Sequence, residues 1–196
     1  GDVSGRQREA VFMTHFEDDT NTLYLPGKDG LYDEGTFPAG LGSASYPYLG
    51  WGTFFFDAEG DGDLDLFVAN GHVAPQVDGL RSTVGYRQRN QLFLNGGRGI
   101  FRERREALPD EEDRRRSSRG AACGDLDGDG DPDIVINNID AKPTVLENRS
   151  AGRWLEVRLR GRKVNRSGIG ARVTVSCGGQ RQERYIQSGM SWASQC

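Results

Sequence analysis

Two stretches of nine residues in this chain are near copies of each other. Asp57-Ala58-Glu59-Gly60-Asp61-Gly62-Asp63-Leu64-Asp65 and Asp125-Leu126-Asp127-Gly128-Asp129-Gly130-Asp131-Pro132-Asp133 both place an acid at positions 1, 3, 5, 7 and 9 and a glycine at position 6. Each sits inside a longer match, Gly52 to Asn70 against Gly120 to Asn138, at an offset of 68. Asn21 to Glu34 likewise lines up with Asn90 to Glu103 at an offset of 69, keeping the Asn, two Leu, two Gly and the Glu. Aligned backwards at an offset of 55, Asp2 to Phe12 is the tail of a still earlier copy whose acids are mostly lost, so the chain is expected to start inside a repeat. Repetition at such a period marks a fold assembled from equivalent units that cover one another's apolar faces.

Each unit reads as short strands. Leu64 to Asn70 and Pro132 to Asn138 are runs rich in β-branched and large apolar residues, bounded by Gly and Asp. Asn90 to Leu94, followed by Asn-Gly-Gly-Arg-Gly and Ile100-Phe101, has the form of a hairpin whose glycines supply positive φ. With 28 glycines and only 35% hydrophobic residues, a helical bundle is disfavoured. The expected class is all-β, the units being blades of a β-propeller with roughly four strands each. Residues 71 to 88 read as a loop insertion.

The acidic loops constrain the chemistry. Two carboxylates about 6 Å apart repel by about 0.7 kcal/mol in water and by about 3 kcal/mol at an effective dielectric of 20, so five in nine residues need a counter-charge. Ca2+ takes six to eight oxygens, and a glycine at position 6 permits the turn that brings alternate side chains onto one ion; Mg2+ demands a stricter octahedron and fits less well. An EF-hand would close with Glu at position 12 and continue as a helix, but position 12 here is Val68 or Ile136, inside a strand-like run. The loop must instead close on the acid at position 9. Asp57, Glu59, Asp61 and Asp65 are the expected side-chain ligands of one calcium site, and Asp125, Asp127, Asp129 and Asp133 those of the other. Asp63 and Asp131 are expected to contribute backbone carbonyls. The plainer alternative is a solvated acidic turn. The earliest copy should bind nothing, since Ser4, Arg6 and Ala10 stand at its positions 3, 5 and 9.

Charge divides the chain near Ser150. Residues 1–150 carry 16 Lys/Arg against 27 Asp/Glu, a balance of −11, whereas residues 151–196 carry 9 against 2, a balance of +7, which together give the net −4. The basic part suits an anionic partner, yet it lacks regularly spaced aromatics or an RNA-binding motif, so nucleic acid is not expected. Arg114-Arg115-Arg116 belongs to a mixed-charge stretch in which seven basic residues from Arg102 to Arg119 face six acidic ones. In the basic part, Leu155, Val157 and Leu159 alternate with charged residues, as do Val173, Val175 and Cys177 with polar ones. Two half-buried strands are predicted, separated by a loop over Asn165 to Gly170, with Gly178-Gly179 as a hairpin turn into the next strand.

Several function classes find no support. Apolar runs such as Thr53 to Phe56 fall far short of the roughly 20 residues of a membrane span, and the first residues have no export-signal pattern. Cys123, Cys177 and Cys196 are odd in number without Cys-x-x-Cys spacing, leaving their redox state open. His15 takes the place of Asn70 and Asn138 in the aligned copies, a strand-end position, and His72 opens the insertion. Neither a Gly-x-Ser-x-Gly elbow nor His-Glu-x-x-His is present. Asn148-Arg-Ser150 and Asn165-Arg-Ser167 fit the glycosylation sequon, a short pattern that arises often by chance.

The Asp-x-Asp-x-Asp-Gly-x-x-Asp loop running into a strand resembles the FG-GAP/VCBS repeats of integrin-α-like β-propellers. Trp154 to Gly161, Asn165 to Val173 and Ser188 to Gln195 resemble the opening of an ASPIC/UnbV domain. The combination is similar to the cartilage-acidic-protein-like architecture. It implies a secreted, extracellular or periplasmic protein, a seven-bladed propeller, calcium in the blade loops, about two and a half blades over residues 1–150, and a partial ASPIC/UnbV domain over residues 151–196. The remaining blades of the propeller would then be partners of this piece. The expected function is non-enzymatic: a calcium-stabilised module that contacts an extracellular protein or glycan. The rival is a carbohydrate-active enzyme, a polysaccharide lyase or hydrolase, with His72 and the carboxylates as candidate groups.

Overall fold

A computed structural model describes residues 1–4, 8–80, 85–108, 114–150, 154–163, 165–178 and 180–188. The expectations concerning Arg6, the acids from Asp110 to Asp113, residues 189–195 and Cys196 lie outside the described residues.

Three antiparallel sheets follow one another along the chain. The first contains β1 (Val11–Met13), β2 (Thr22–Pro26) and β3 (Tyr32–Glu34) in that order. The second is a four-stranded meander of β4 (Gly50–Phe56), β5 (Asp65–Asn70), β6 (Gln91–Asn95) and β7 (Phe101–Glu103). The third contains β8 (Ser118–Gly124), β9 (Asp133–Asn138) and β10 (Thr144–Leu146). A separate ribbon pairs β11 (Arg172–Cys177) with β12 (Gln180–Tyr185), Cys177 facing Gln180. The α-helix among the described residues is a single turn, α1 (Gly42–Ser45), and the chain is nearly all β.

The sequence repeat is a structural one. β4 pairs with β5 and β8 with β9 in matching registers, Phe56 opposite Asp65 and Gly124 opposite Asp133. Both pairs slip at the same place, between Gly50 and Thr53 and between Ser118 and Ala121. Each acidic loop is thus the hairpin connection between a seven-residue strand and a six-residue strand. Equivalent side chains also meet: the Arg119 guanidinium lies 4.4 Å from the centre of the Trp51 ring, and these two residues hold the same place in β8 and β4. The strand-end Asn is reused as well. Asn21 accepts the N–H of His15 and Asn90 that of Asn70, both at 2.8 Å.

The core explains why β5 is apolar along its whole length. All six of its residues are buried. Alternation sends Leu66 and Val68 into a cluster with Val3, Leu23, Phe93 and Phe101. Phe67 and Ala69 go the other way, to Phe54, Leu92, Ala121 and Ile136. The middle sheet is therefore covered on both faces by its neighbours, as stacked blades require.

The basic part departs from expectation. Leu155 to Leu159 form no strand; Leu155 is 70% exposed and has no sheet to complete. β11 forms as predicted but is mostly exposed rather than half-buried, because a two-stranded ribbon with no third layer leaves its faces in water. Residues 71–88 contain a short 3-10 turn, Pro75–Gly79, among their described positions. The ribbon and the segment before it touch the acidic loops. Glycine 6 of each loop is covered, Gly62 by the amide of Gln182 and Gly130 by the indole of Trp154, each in the space a Cβ would take. Arg184 Nη2 adds a contact to the Gly62 carbonyl at 3.4 Å.

Candidate metal centre

Each acidic loop is folded by its own carboxylates. At position 1, Asp57 accepts the N–H groups of Asp61 and Gly62 at 3.1 and 2.9 Å, and Asp125 those of Gly128 and Gly130 at 2.7 and 3.1 Å. At position 9, Asp65 accepts the N–H groups of Ala58 and Asn95, both at 2.8 Å, and Asp133 those of Leu126 and Asn148, both at 2.9 Å. Such turns need positive φ at positions 4 and 6, met by Gly60 and Gly62 and by Gly128 and Gly130.

Asn95 and Asn148 are partners that the sequence reading missed as part of the site. The Asn95 side-chain amide donates to the carbonyls of Leu64, at position 8 of its own loop, and Val3, at position 2 of the degenerate preceding copy. Asn148 does the same with Pro132 and Ala58. Each Asn thus ties its loop to the previous unit. The signal was available in part, since Asn95 ends the third strand of its unit and Asn148 stands just past that of the next, but Asn148 stood out only as a sequon. Its amide is spent on backbone carbonyls at 2.8 and 3.4 Å.

The second loop gathers its carboxylates. One oxygen from each of Asp125, Asp127 and Asp133 lies within 4.8 Å of the others, a spacing that one ion bound at roughly 2.3–2.6 Å to each can span. Among the described residues this is the trio that converges; Asp129 stands outside it, and Asp57, Glu59, Asp61 and Asp65 are not drawn together as tightly. Asp129 and Asp131 continue the turn, each accepting or donating along the loop, and Asp131 also accepts the Ser150 hydroxyl at 3.2 Å. Asp131 Oδ1 is buried without a hydrogen-bond partner among the described residues. In the first loop, Asp63 donates its N–H to Asp61 at 2.9 Å.

Electrostatics point the same way. Burial pushes Asp65 up to about 7, despite the two N–H donors that favour its charged form, and Glu59 and Asp61 add to the rise. Burial first, then the carboxylate of Asp61, raises Asp57 and Asp63. Asp131 is raised by burial and by Asp129. For Asp127, the Asp129 N–H pulls downward, but desolvation and the charges of Asp129 and Asp133 leave it raised. These groups crowd negative charge that a cation would relieve. Hard oxygen donors and their spacing fit a divalent ion of the calcium type, held by Asp125, Asp127 and Asp133, whose chemistry would be to neutralise and cross-link the turn.

The histidines lie elsewhere. His72 is buried, its Nδ1 accepting the Ala74 N–H at 3.0 Å and its Nε2 3.1 Å from Glu17 Oε1, with the Phe16 ring against it. His15 sits at the start of the β1–β2 connection, 3.4 Å from Asp19.

Residues 82–136 match the FG-GAP-like repeat family, a stretch that runs through β6, β7 and β8, the converging loop and into β9. No curated protein matches the chain. No helix among the described residues is long and apolar enough to cross a membrane.

Proposed function

We propose that this chain is a calcium-stabilised portion of a β-propeller that serves as an extracellular or periplasmic interaction module, contacting a protein or a glycan without catalysing a reaction. The observation that carries the reading is the convergence of Asp125, Asp127 and Asp133 in the turn between β8 and β9, inside the stretch that matches an FG-GAP-like repeat. Calcium has a structural task here: it replaces protons as the counter-charge and fixes the hairpin. The resemblance of residues 151–196 to an ASPIC/UnbV opening supports a second, partial domain after the blades. A binding role is favoured over the carbohydrate-active enzyme because both nitrogens of buried His72 are engaged within the fold.

Calcium titration followed by thermal unfolding tests this. At about a hundredfold excess over Kd, a ligand specific for the folded state adds about 2.7 kcal/mol, which for a chain of this size raises Tm by about 5–10 °C. Asp127→Asn, at an exposed position of the trio, should abolish most of that rise. No shift in the parent chain would remove the reading's main support.

A further inference from the structure

Several arginines at the surface of this protein have a glutamate to meet. Arg149 pairs with Glu147, Arg158 with Glu156 and Arg181 with Glu183. Arg160, Arg162, Lys163 and Arg166 do not: among the described residues none of the four forms an ion pair, and all four are exposed. Together with Gly161 and Asn165 they line one cavity of about 770 Å3.

The backbone holds these charges together. The Gly161 N–H donates to the Arg166 carbonyl at 3.1 Å and closes the loop; the Gly168 N–H donates to the Asn165 carbonyl at 3.0 Å. Asn165 itself adopts a φ of 33° and donates its side-chain amide to the Ile169 carbonyl. A loop closed at its neck keeps the stems of these side chains near one another, and an anion in the open pocket between them would lower their mutual repulsion.

We propose that the basic cluster of Arg160, Arg162, Lys163 and Arg166 binds a sulfated polysaccharide. Three of the four cations are guanidiniums, whose planar donor forks suit oxyanions and which give up water more readily than an ammonium. Four cations around one cavity match successive sulfate groups on a chain better than a single small anion. No aromatic ring lines the cavity, so the bases of a single-stranded nucleic acid would have nothing to stack on. The acidic charge balance of residues 1–150 repels a polyanion from the rest of the molecule and steers it to this end. The loop shares no residue with the acidic turns, so the inference is separate from the metal reading.

The test uses the full chain in calcium-containing buffer throughout, with a heparin-derived oligosaccharide and its desulfated counterpart titrated over a salt series. The sulfated probe should bind at low salt and weaken steadily as salt rises, and the desulfated one should lose at least about tenfold in affinity, consistent with counterion release. The combined variant Arg160→Gln, Arg162→Gln, Lys163→Gln, Arg166→Gln should lose at least about tenfold and show a shallower salt slope, with an unchanged melting temperature. Arg149→Gln, a paired arginine outside the loop, should bind like the parent. Equal binding of sulfated and desulfated probes would overturn the proposal without reference to any variant. So would parental affinity in the combined variant, or an oligothymidylate of matched charge binding as tightly as the glycan. Binding that persists while calcium gives no thermal shift would leave this inference standing and sink only the metal reading.

Discussion

Asp65 concentrates the problem that the acidic loops pose. It is 1% exposed, accepts two backbone N–H groups and still has its pKa pushed up from 3.8 to about 7, chiefly by burial. A carboxyl whose folded pKa lies above its unfolded one keeps its proton longer in the folded chain. Between about pH 4 and pH 7 the folded state therefore binds more protons, and stability falls as pH rises through that window. Asp57, Asp63 and Asp131 are shifted in the same direction. In a chelator, Tm should consequently fall as pH is raised from 5 to 7, and calcium should flatten or reverse the trend by displacing protons. Thermal melts over that range with and without calcium check this; identical profiles would mean that the ion does not act on these carboxylates. Glycines of the two acidic loops separate strain from contact. Gly60→Ala faces open space at φ 71° and should cost about 1–2 kcal/mol in backbone strain alone. Gly130→Ala carries the same kind of strain at φ 97° and also displaces the Trp154 indole, so it should add a red shift in tryptophan emission that Gly60→Ala lacks.

At the level of strands and turns, the two-faced burial of β5 and the Asn ties between units carry the stability. Phe67→Ala removes a fully buried ring from the cluster shared by the second and third sheets and should cost about 3–5 kcal/mol in denaturant melts. Val175→Ala on the exposed ribbon should change stability by no more than about 0.5 kcal/mol. Asn95→Ala strips the Leu64 and Val3 carbonyls of their donor inside a buried site and should cost about 1–3 kcal/mol. These elements differ in how far the sequence disclosed them. Apolar runs, their Gly and Asp boundaries and repetition gave β5, β9 and the β6–β7 hairpin, because buried strands bounded by turn residues leave a local pattern. Alternation misled at Leu155 to Leu159, where an apolar period exists but no neighbouring strand completes it. The acidic turns were legible from spacing, yet which carboxylates converge depends on backbone torsions that spacing does not encode, and among the described residues only Asp125, Asp127 and Asp133 meet within 4.8 Å. The Asn95 and Asn148 ties join positions far apart in sequence, so their place at a strand end hints at a role but no local pattern shows what they hold. Cys123 is disulfide-bonded while Cys177 is free, a distinction that an odd cysteine count left open.

Across the whole molecule, opposite charge and close contact bring the basic end onto the acidic turns. Residues 151–196 carry 9 cationic against 2 acidic side chains, and from them Gln182, Arg184 and Trp154 reach Gly62 and Gly130. The charge of Arg184 opposes the rise of the Asp57 and Asp63 carboxyls, so part of this docking is long-range attraction. The sheets behind it are held by buried apolar side chains that salt does not weaken. At about 0.15 M ionic strength the screening length is about 8 Å, and at 1 M about 3 Å. Added sodium chloride should therefore loosen the ribbon before it disturbs the sheets. Amide hydrogen exchange checks this directly: protection across β11 and β12 should drop with salt while that of β5 holds. Equal protection of the ribbon at low and high salt would mean that the Trp154 and Gln182 contacts alone hold it in place. Calcium supplies the complementary arm, since a divalent ion bound in the turns would compete with Arg184 for the same negative charge and should lower ribbon protection even as it raises the melting temperature of the sheets.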